Sequence, residues 1–153
     1  MSAIVFIVIV ALAASSGALF KPGEWYETLR KPSWTPPKWA FPVVWSLLYI
    51  GIAYAGWRIW TLAGWSLPLA FWTCQIIANA IWSWLFFGRR RMDLALADIA
   101  VLWLSVLGFL VTAWPISQAA ALVFAPYLAW VSTAAFLNYT VLRLNPRQED
   151  RAA

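Results

Sequence analysis

The chain reads as an all-α membrane protein, one bundle of five transmembrane helices with a proline- and tryptophan-rich lid loop between the first two. Three observations predict this class. Of the 153 residues, 63% are hydrophobic and 11% charged, where a soluble domain carries about a quarter charged residues. The mean hydropathy of +0.72 leaves too little polar surface to cover a globule in water. The apolar residues also come in long blocks rather than amphipathic stripes, so lipid is the expected solvent. A single membrane domain over residues 1–153 accounts for the length.

The first span is read at about 3–20, an apolar block just long enough to cross a hydrocarbon core of roughly 30 Å at about 1.5 Å per residue. Its small residues from Ala11 to Gly17 imitate a signal-peptide cleavage region, but no Lys or Arg precedes the block, and a retained span is expected. The second span, about 42–61, opens at Pro42, where a first helical turn tolerates proline. Residues 59–88 carry no charge; Gly64 and Pro68 mark a turn inside this stretch, and a third span follows at about 66–87. From Ile99 to Leu142 charge is again absent, and a single helix of that length would run about 66 Å, twice the hydrocarbon thickness. The break is expected at Trp114-Pro115-Ile116-Ser117, giving spans of about 93–114 and 117–142, with Pro126 kinking the last.

With five spans, ten of the eleven Lys and Arg residues fall on one side: the 21–41 loop, the Arg89-Arg90-Arg91 turn and the C-terminal tail. Only Arg58 lies on the other, where it can snorkel. This asymmetry predicts an external N-terminus and a cytoplasmic C-terminus. The arginine run is thus an orientation signal and implies no nucleic-acid partner. Several chemistries are excluded. There is no histidine to serve as general base, metal ligand or haem ligand, and the lone Cys74 allows neither an intrachain disulfide nor a CxxC pair. No metal site is expected. All three lysines (Lys21, Lys31, Lys38) lie in one loop, so none can carry an intramembrane Schiff base. Against these absences stand thirteen tryptophans, more than interfacial belts explain.

The loop at 21–41 is long for so compact a chain, and loops of that length are functional or disordered. Pro22, Pro32, Pro36 and Pro37 stiffen it, and Trp25, Tyr26, Trp34 and Trp39 give it apolar surface. Glu24 to Arg30 fits one or two turns of helix. A lid packed over the open end of the bundle is one reading; an interfacial segment on the headgroups is the other. The run Trp25-Tyr26, Leu29 and Lys31-Pro32-Ser33-Trp34-Thr35-Pro36-Pro37-Lys38-Trp39-Ala40-Phe41-Pro42-Val43-Val44-Trp45 resembles the signature of the tryptophan-rich sensory protein/translocator protein family, also called the peripheral-type benzodiazepine receptor family. A second matching motif is Gln75-Ile76-Ile77-Ala78-Asn79-Ala80-Ile81-Trp82-Ser83 with Phe86-Phe87; a third is Pro126-Tyr127-Leu128-Ala129-Trp130, Ala134, Leu137-Asn138-Tyr139 and Leu144-Asn145. They stand in the family's order and cover essentially the whole chain.

The resemblance implies a five-helix bundle, commonly a homodimer, with a pocket closed by the first loop that binds porphyrins, sterols and benzodiazepine-site compounds. Matched motif by motif, the ligand-binding residues are Tyr26, Trp34, Trp45, Asn79, Trp82, Tyr127, Trp130, Ala134 and Asn138. A bacterial member of this family is expected in the inner membrane. Spacing supports the same faces, since Gln75, Asn79, Trp82 and Phe86 recur along one side of their helix, as do Tyr127, Trp130, Ala134 and Asn138. Amides in a lipid-embedded helix face protein or a cavity, although Asn79 and Asn138 can equally serve as simple ties between helices. With no histidine, the porphyrin is expected as a metal-free ligand held by stacking, with no cofactor required. Lys31, Lys38 and Arg143 are candidates for its propionates.

Two functions compete: a receptor or carrier of porphyrin-like and sterol-like molecules, and a light- and oxygen-dependent porphyrin-degrading enzyme with Trp45 and Trp130 as its redox residues. No acid–base pair or nucleophile supports the second. A proton-coupled drug exporter is rejected because the first span holds no carboxylate. Asp98 is an intramembrane carboxylate, either functional or reaching toward Arg89–Arg91 or a Trp N–H. Leu137-x-Tyr139-x₃-Arg143 fits a sterol-contact pattern of low specificity. Ala70, Cys74 and Ala78 form a small-residue stripe that makes the third span the expected homodimer contact, ahead of Gly51 and Ala55. A reporter fused after Ala153 should read cytoplasmic, and an external signal there would overturn this topology.

Overall fold

The computed structural model describes residues 2–20 and 23–145. Lys21 and Pro22 of the loop, and Arg147 and Arg151 of the tail, lie outside the described residues. The elements are α1 (Ala3–Leu19), α2 (Glu24–Thr28), α3 (Ala40–Ala63), α4 (Leu67–Ser83), α5 (Met92–Ala113) and α6 (Gln118–Leu144); α4 continues into a π-helical turn, Trp84–Gly88. No strand occurs among the described residues. α3, α4 with its π turn, α5 and α6 are long and apolar enough to cross a membrane, and α1 is a shorter apolar helix of 17 residues. These five are the expected spans, and α2 is the expected turn of helix in the loop.

Local chemistry sets the boundaries. α3 begins at Ala40, two residues ahead of expectation, because Pro42 sits within the first turn, where no intrahelical N–H is needed. It ends at Gly64, whose φ of 61° takes the left-handed conformation that costs glycine nothing, and whose N–H donates to the Trp60 carbonyl at 2.9 Å. Pro68 occupies the first turn of α4. The break between α5 and α6 falls at residues 114–117, where Ser117 Oγ accepts from the Ala120 N–H at 3.2 Å as N-cap. α6 runs continuously through Pro126 as a single helix of 27 residues.

The five long helices close into a ring. α1 packs on α3, α3 on α6, α6 on α5, α5 on α4, and α4 back on α1. Each contributes one buried face: Phe6 and Val10, Ile52 and Ile59, Leu69 and Trp72, Val106 and Phe109, Phe124 and Val131. Phe109 and Phe124 pack at 4.1 Å between ring centroids. A second cluster lies at the end where the loop returns, and holds Tyr26, Leu29, Phe86, Met92, Leu137 and Val141. Arg30, Lys31, Lys38, Arg89, Arg90, Arg91 and Arg143 belong to this end by chain order, and Arg58 to the opposite one.

The small-residue stripe of α4 is split. Ala70 and Cys74 are exposed, but Ala78 is buried within the bundle, and Cys74 Sγ accepts from Ser105 Oγ of α5 at 3.1 Å. At about 100° per residue, a spacing of eight residues drifts by roughly 80°, enough to carry Ala78 inside. The rival pair is used within the chain: Ala55 is fully buried, and a Cβ on Gly51 would meet Val123 of α6 at 2.6 Å.

Gly56 is tightly packed, and a Cβ there would stand 2.5 Å from the Trp72 ring and 2.9 Å from Phe6. The indole cannot swing aside freely, because its N–H donates to the Ile52 carbonyl at 2.8 Å. Gly56→Ala should therefore destabilise the protein by about 1–3 kcal/mol, the usual cost of overpacking. Gly17→Ala, whose Cβ meets nothing nearer than 4.0 Å, should be neutral or slightly stabilising. Thermal unfolding in one detergent compares them; equal melting temperatures would contradict the packing at Gly56.

Candidate functional site

The centre of the ring holds polar groups that lipid cannot satisfy, and they satisfy one another in sequence. The Tyr49 hydroxyl donates to Asn79 Oδ1 at 3.0 Å, Asn79 Nδ2 donates to the Tyr127 hydroxyl at 2.8 Å, and Tyr127 donates to Gln75 Oε1 at 2.8 Å. Each bond is donated in the same direction along the chain, from α3 through α4 and α6 back to α4. Gln75 Nε2 ends it, buried and without a hydrogen-bond partner among the described residues. Gln75 and Asn79 are four residues apart and Tyr127 faces both, so the helical period itself aligns the donors and acceptors.

Aromatic rings wrap this chain. Trp45 stacks on Tyr49 at 5.5 Å and meets Tyr127 and Trp130 edge to face at 6.2 and 6.4 Å; Phe41 meets Trp130 at 5.5 Å. The Trp130 N–H is buried with no acceptor among the described residues. Two membrane-facing grooves, each of about 530 Å³, back onto the cluster. The groove between α3 and α6 is lined by Leu47, Gly51, Val123, Pro126 and Trp130; the groove between α1 and α3 includes Tyr49. The aromatic cluster therefore borders an open groove on two sides.

The other predicted site residues gather nearer the loop. The Trp82 N–H donates to Asn138 Oδ1 at 3.0 Å, and Asn138 Nδ2 donates to the Met92 carbonyl at 3.0 Å. Trp82 stacks on Phe86 at 5.1 Å, and Tyr26 of α2 packs edge-on against Phe86 and Phe87. The π turn widens the helix where these two phenylalanines meet the loop, a feature common at functional sites. Lys31 Nζ lies 4.5 Å from the Tyr26 ring centre, and burial pushes the Tyr26 phenol up from its ordinary value.

The predicted set thus divides into a central group (Trp45, Asn79, Tyr127, Trp130, with Ala134 partly buried beside the core) and a loop-end group (Tyr26, Trp82, Asn138). Trp82 packs against both clusters and joins them. Trp34 belongs to neither; it is 49% exposed. Of the candidate cations, Lys31 alone is placed on a site residue. Lys38 pairs with Glu27 across the loop, and Arg143 donates to Tyr139 on the exposed face of α6. The sterol-contact pattern is split by helix geometry, with Leu137 buried and Tyr139 and Arg143 facing out. Asp98 does not reach Arg91, which binds Asp93 through two bonds of 2.7 and 2.9 Å, and Asp98 Oδ2 is buried without a hydrogen-bond partner among the described residues. Three residues of weight were missing from the predicted set. Tyr49 is one turn beyond Trp45, Gln75 shares the Asn79 face, and Asn145 closes the third motif.

A ring of five apolar helices, a polar chain inside it and an aromatic loop packed on one end define a polytopic helical membrane protein. The chain belongs to the TspO/MBR family, whose model matches residues 3–144. It is 43% identical over 149 residues to Protein CrtK of Rhodobacter capsulatus, spanning 95% of this chain and 93% of that one. Identity to the tryptophan-rich sensory protein of Cereibacter sphaeroides is 40% over 148 residues, 96% and 94% of the two chains. The translocator protein of Homo sapiens is 36% identical over 143 residues, 88% and 85% of the two.

Tyr127→Phe would strand the Asn79 N–H and the Gln75 carbonyl in a buried site, costing about 1–3 kcal/mol for each unsatisfied group. Tyr49→Phe strands only one acceptor, Asn79 Oδ1, at a position where Tyr49 itself is only half-buried, and should cost less. Unfolding measurements on both variants test this ordering; a Tyr127→Phe protein as stable as the parent would dissolve the network.

Proposed function

We propose that this membrane protein is a receptor or carrier for porphyrins of the protoporphyrin type and other flat, hydrophobic molecules such as sterols and benzodiazepine-site compounds. The observation that carries the reading is the cage of Trp45, Tyr49, Tyr127 and Trp130, backed by two buried donors without acceptors, Trp130 Nε1 and Gln75 Nε2. Aromatic walls suit a conjugated macrocycle, and unpaired buried donors favour a ligand that brings acceptors. The names of the relatives, sensory protein and translocator protein, agree with recognition rather than with a defined reaction. The porphyrin is a ligand here; no cofactor is invoked.

The reading includes a bacterial inner-membrane location with the lid end and C-terminus in the cytoplasm, supported by the basic residues gathered at that end. It also includes a homodimer, for which Ala70 and Cys74 remain the exposed small residues on α4. The edge contact of Trp45 with Trp130 favours a second reading, in which the bound porphyrin is degraded under light with dioxygen as oxidant and these indoles as redox partners.

Titration of the purified protein with protoporphyrin IX, followed by tryptophan quenching and the Soret band, tests both. Trp45→Phe and Trp130→Phe should each weaken binding about 2- to 10-fold, the range of a lost aromatic contact. Cys74→Ala should leave it unchanged. Retained binding in both tryptophan variants, with loss in Cys74→Ala, would rule the cage out. Light-dependent bleaching of the Soret band that both tryptophan variants abolish would favour the degrading reading over the receptor.

A further inference from the structure

The loop is fastened by a residue 115 positions away in sequence. Asn145 Oδ1 accepts from the Arg30 N–H at 2.8 Å, and Asn145 Nδ2 donates to the Arg30 carbonyl at 2.8 Å. One side-chain amide thus pairs with both backbone groups of one residue, as a neighbouring strand would. The same Nδ2 donates its second hydrogen to the Val141 carbonyl at 2.8 Å, in the last turn of α6. All three bonds are used at once, so neither amide orientation nor side-chain rotation is free. Asn145 is buried, and so is Leu29, which precedes the clamped residue and packs in the cluster of Tyr26, Phe86, Met92 and Val141.

Beyond Arg30 the fastening changes. Residues 32–39 are held by two local turns, Thr35 N–H to the Pro32 carbonyl and Ala40 N–H to the Pro37 carbonyl, and by the surface pair of Lys38 with Glu27. Exposed pairs of this kind contribute little. Trp34 and Trp39 are exposed in this stretch.

We infer that Asn145 is the positioning residue that latches the lid, fixing residues 24–31 against the end of α6 and thereby holding Tyr26 over Phe86 and Phe87. This rests on the reading of the loop as a lid over a ligand site. Opening then takes one of two forms: the segment 32–39 swings while Tyr26 stays, or the latch breaks and Tyr26 leaves with it. Ligand escape through the lid end is limited by the second step. The recognition uses only the backbone of residue 30, so the arginine side chain is dispensable for it.

The test uses full-length protein in nanodiscs, read by hydrogen–deuterium exchange over residues 24–31 and by the dissociation rate of protoporphyrin IX. In Asn145→Ala, exchange at Leu29–Lys31 should rise about tenfold or more, as expected for two lost bonds at about 1 kcal/mol each. The dissociation rate should rise with it, while the Soret band of the bound form stays unshifted. Asn145→Asp, which keeps the acceptor alone, should lie between. Arg30→Ala should match the parent, and Arg30→Pro, which deletes the N–H but keeps the carbonyl and does not touch α6, should also lie between, read at Leu29 and Lys31. Unchanged exchange at residues 29–31 in Asn145→Ala, or at Leu29 and Lys31 in Arg30→Pro, would overturn the latch. So would loosening of Asn145→Ala throughout α6 with Arg30→Pro like the parent, because Asn145 would then be a helix cap only. If the parent binds no protoporphyrin IX, the receptor reading fails, and exchange alone still decides the latch.

Discussion

Hydrocarbon neither donates nor accepts hydrogen bonds, and the interior of this bundle is organised around that fact. Once Gln75, Asn79 and Tyr127 are placed on apolar helices, they must meet one another or face a cavity. The chain Tyr49–Asn79–Tyr127–Gln75 is the solution reached, and it draws α3, α4 and α6 together at one level. The register of these three helices is then set to within a turn, since sliding any of them by one residue rotates its polar group away by about 100°. Gln75 Nε2 and Trp130 Nε1 are left buried without an acceptor among the described residues.

Tryptophan abundance follows from the same constraint. An indole offers a large apolar surface and one N–H, so it can fill space between helices and still make one directed bond. Trp72 ties α4 to α3 through the Ile52 carbonyl, Trp82 ties α4 to α6 through Asn138, and Trp103 ties α5 to α6 through Ser132. These three are packing residues that carry their own polar fastening. Trp45 and Trp130 have no such bond among the described residues and stand against each other, next to the groove between α3 and α6.

The first half of the loop packs on the bundle, while Trp34 and Trp39 of the second half are exposed. Tyr26 and Leu29 are as buried as residues of the spans. The path from the lid to the central cluster is continuous: Tyr26 rests on Phe86 and Phe87, these on Trp82, and Trp82 bonds to Asn138 of α6. The end of α6 holds the lid in turn through Asn145.

Composition and block length determined the class of the protein, because only a helix can cross lipid with its backbone satisfied, and about 20 apolar residues are required to do so. The same arithmetic located the break at residues 114–117, and proline and glycine chemistry placed the remaining ends within two residues or so. The motifs that resemble the TspO/MBR signature identified the family before any geometry was known. Helical spacing also aligned Gln75 with Asn79 and Tyr127 with Asn138. What spacing along one helix could not determine is which partner each face meets across the ring. That Tyr49 joins the amide chain, that Ala78 turns inward while Cys74 stays outside, that Trp34 stands apart from the other site residues, and that Asn145 reaches Arg30 are all outcomes of contact between distant segments. Only the closing of α1, α3, α6, α5 and α4 into one ring brings those segments together, because side-chain hydrogen bonds act over about 3 Å and the sequence separates their partners by tens of residues.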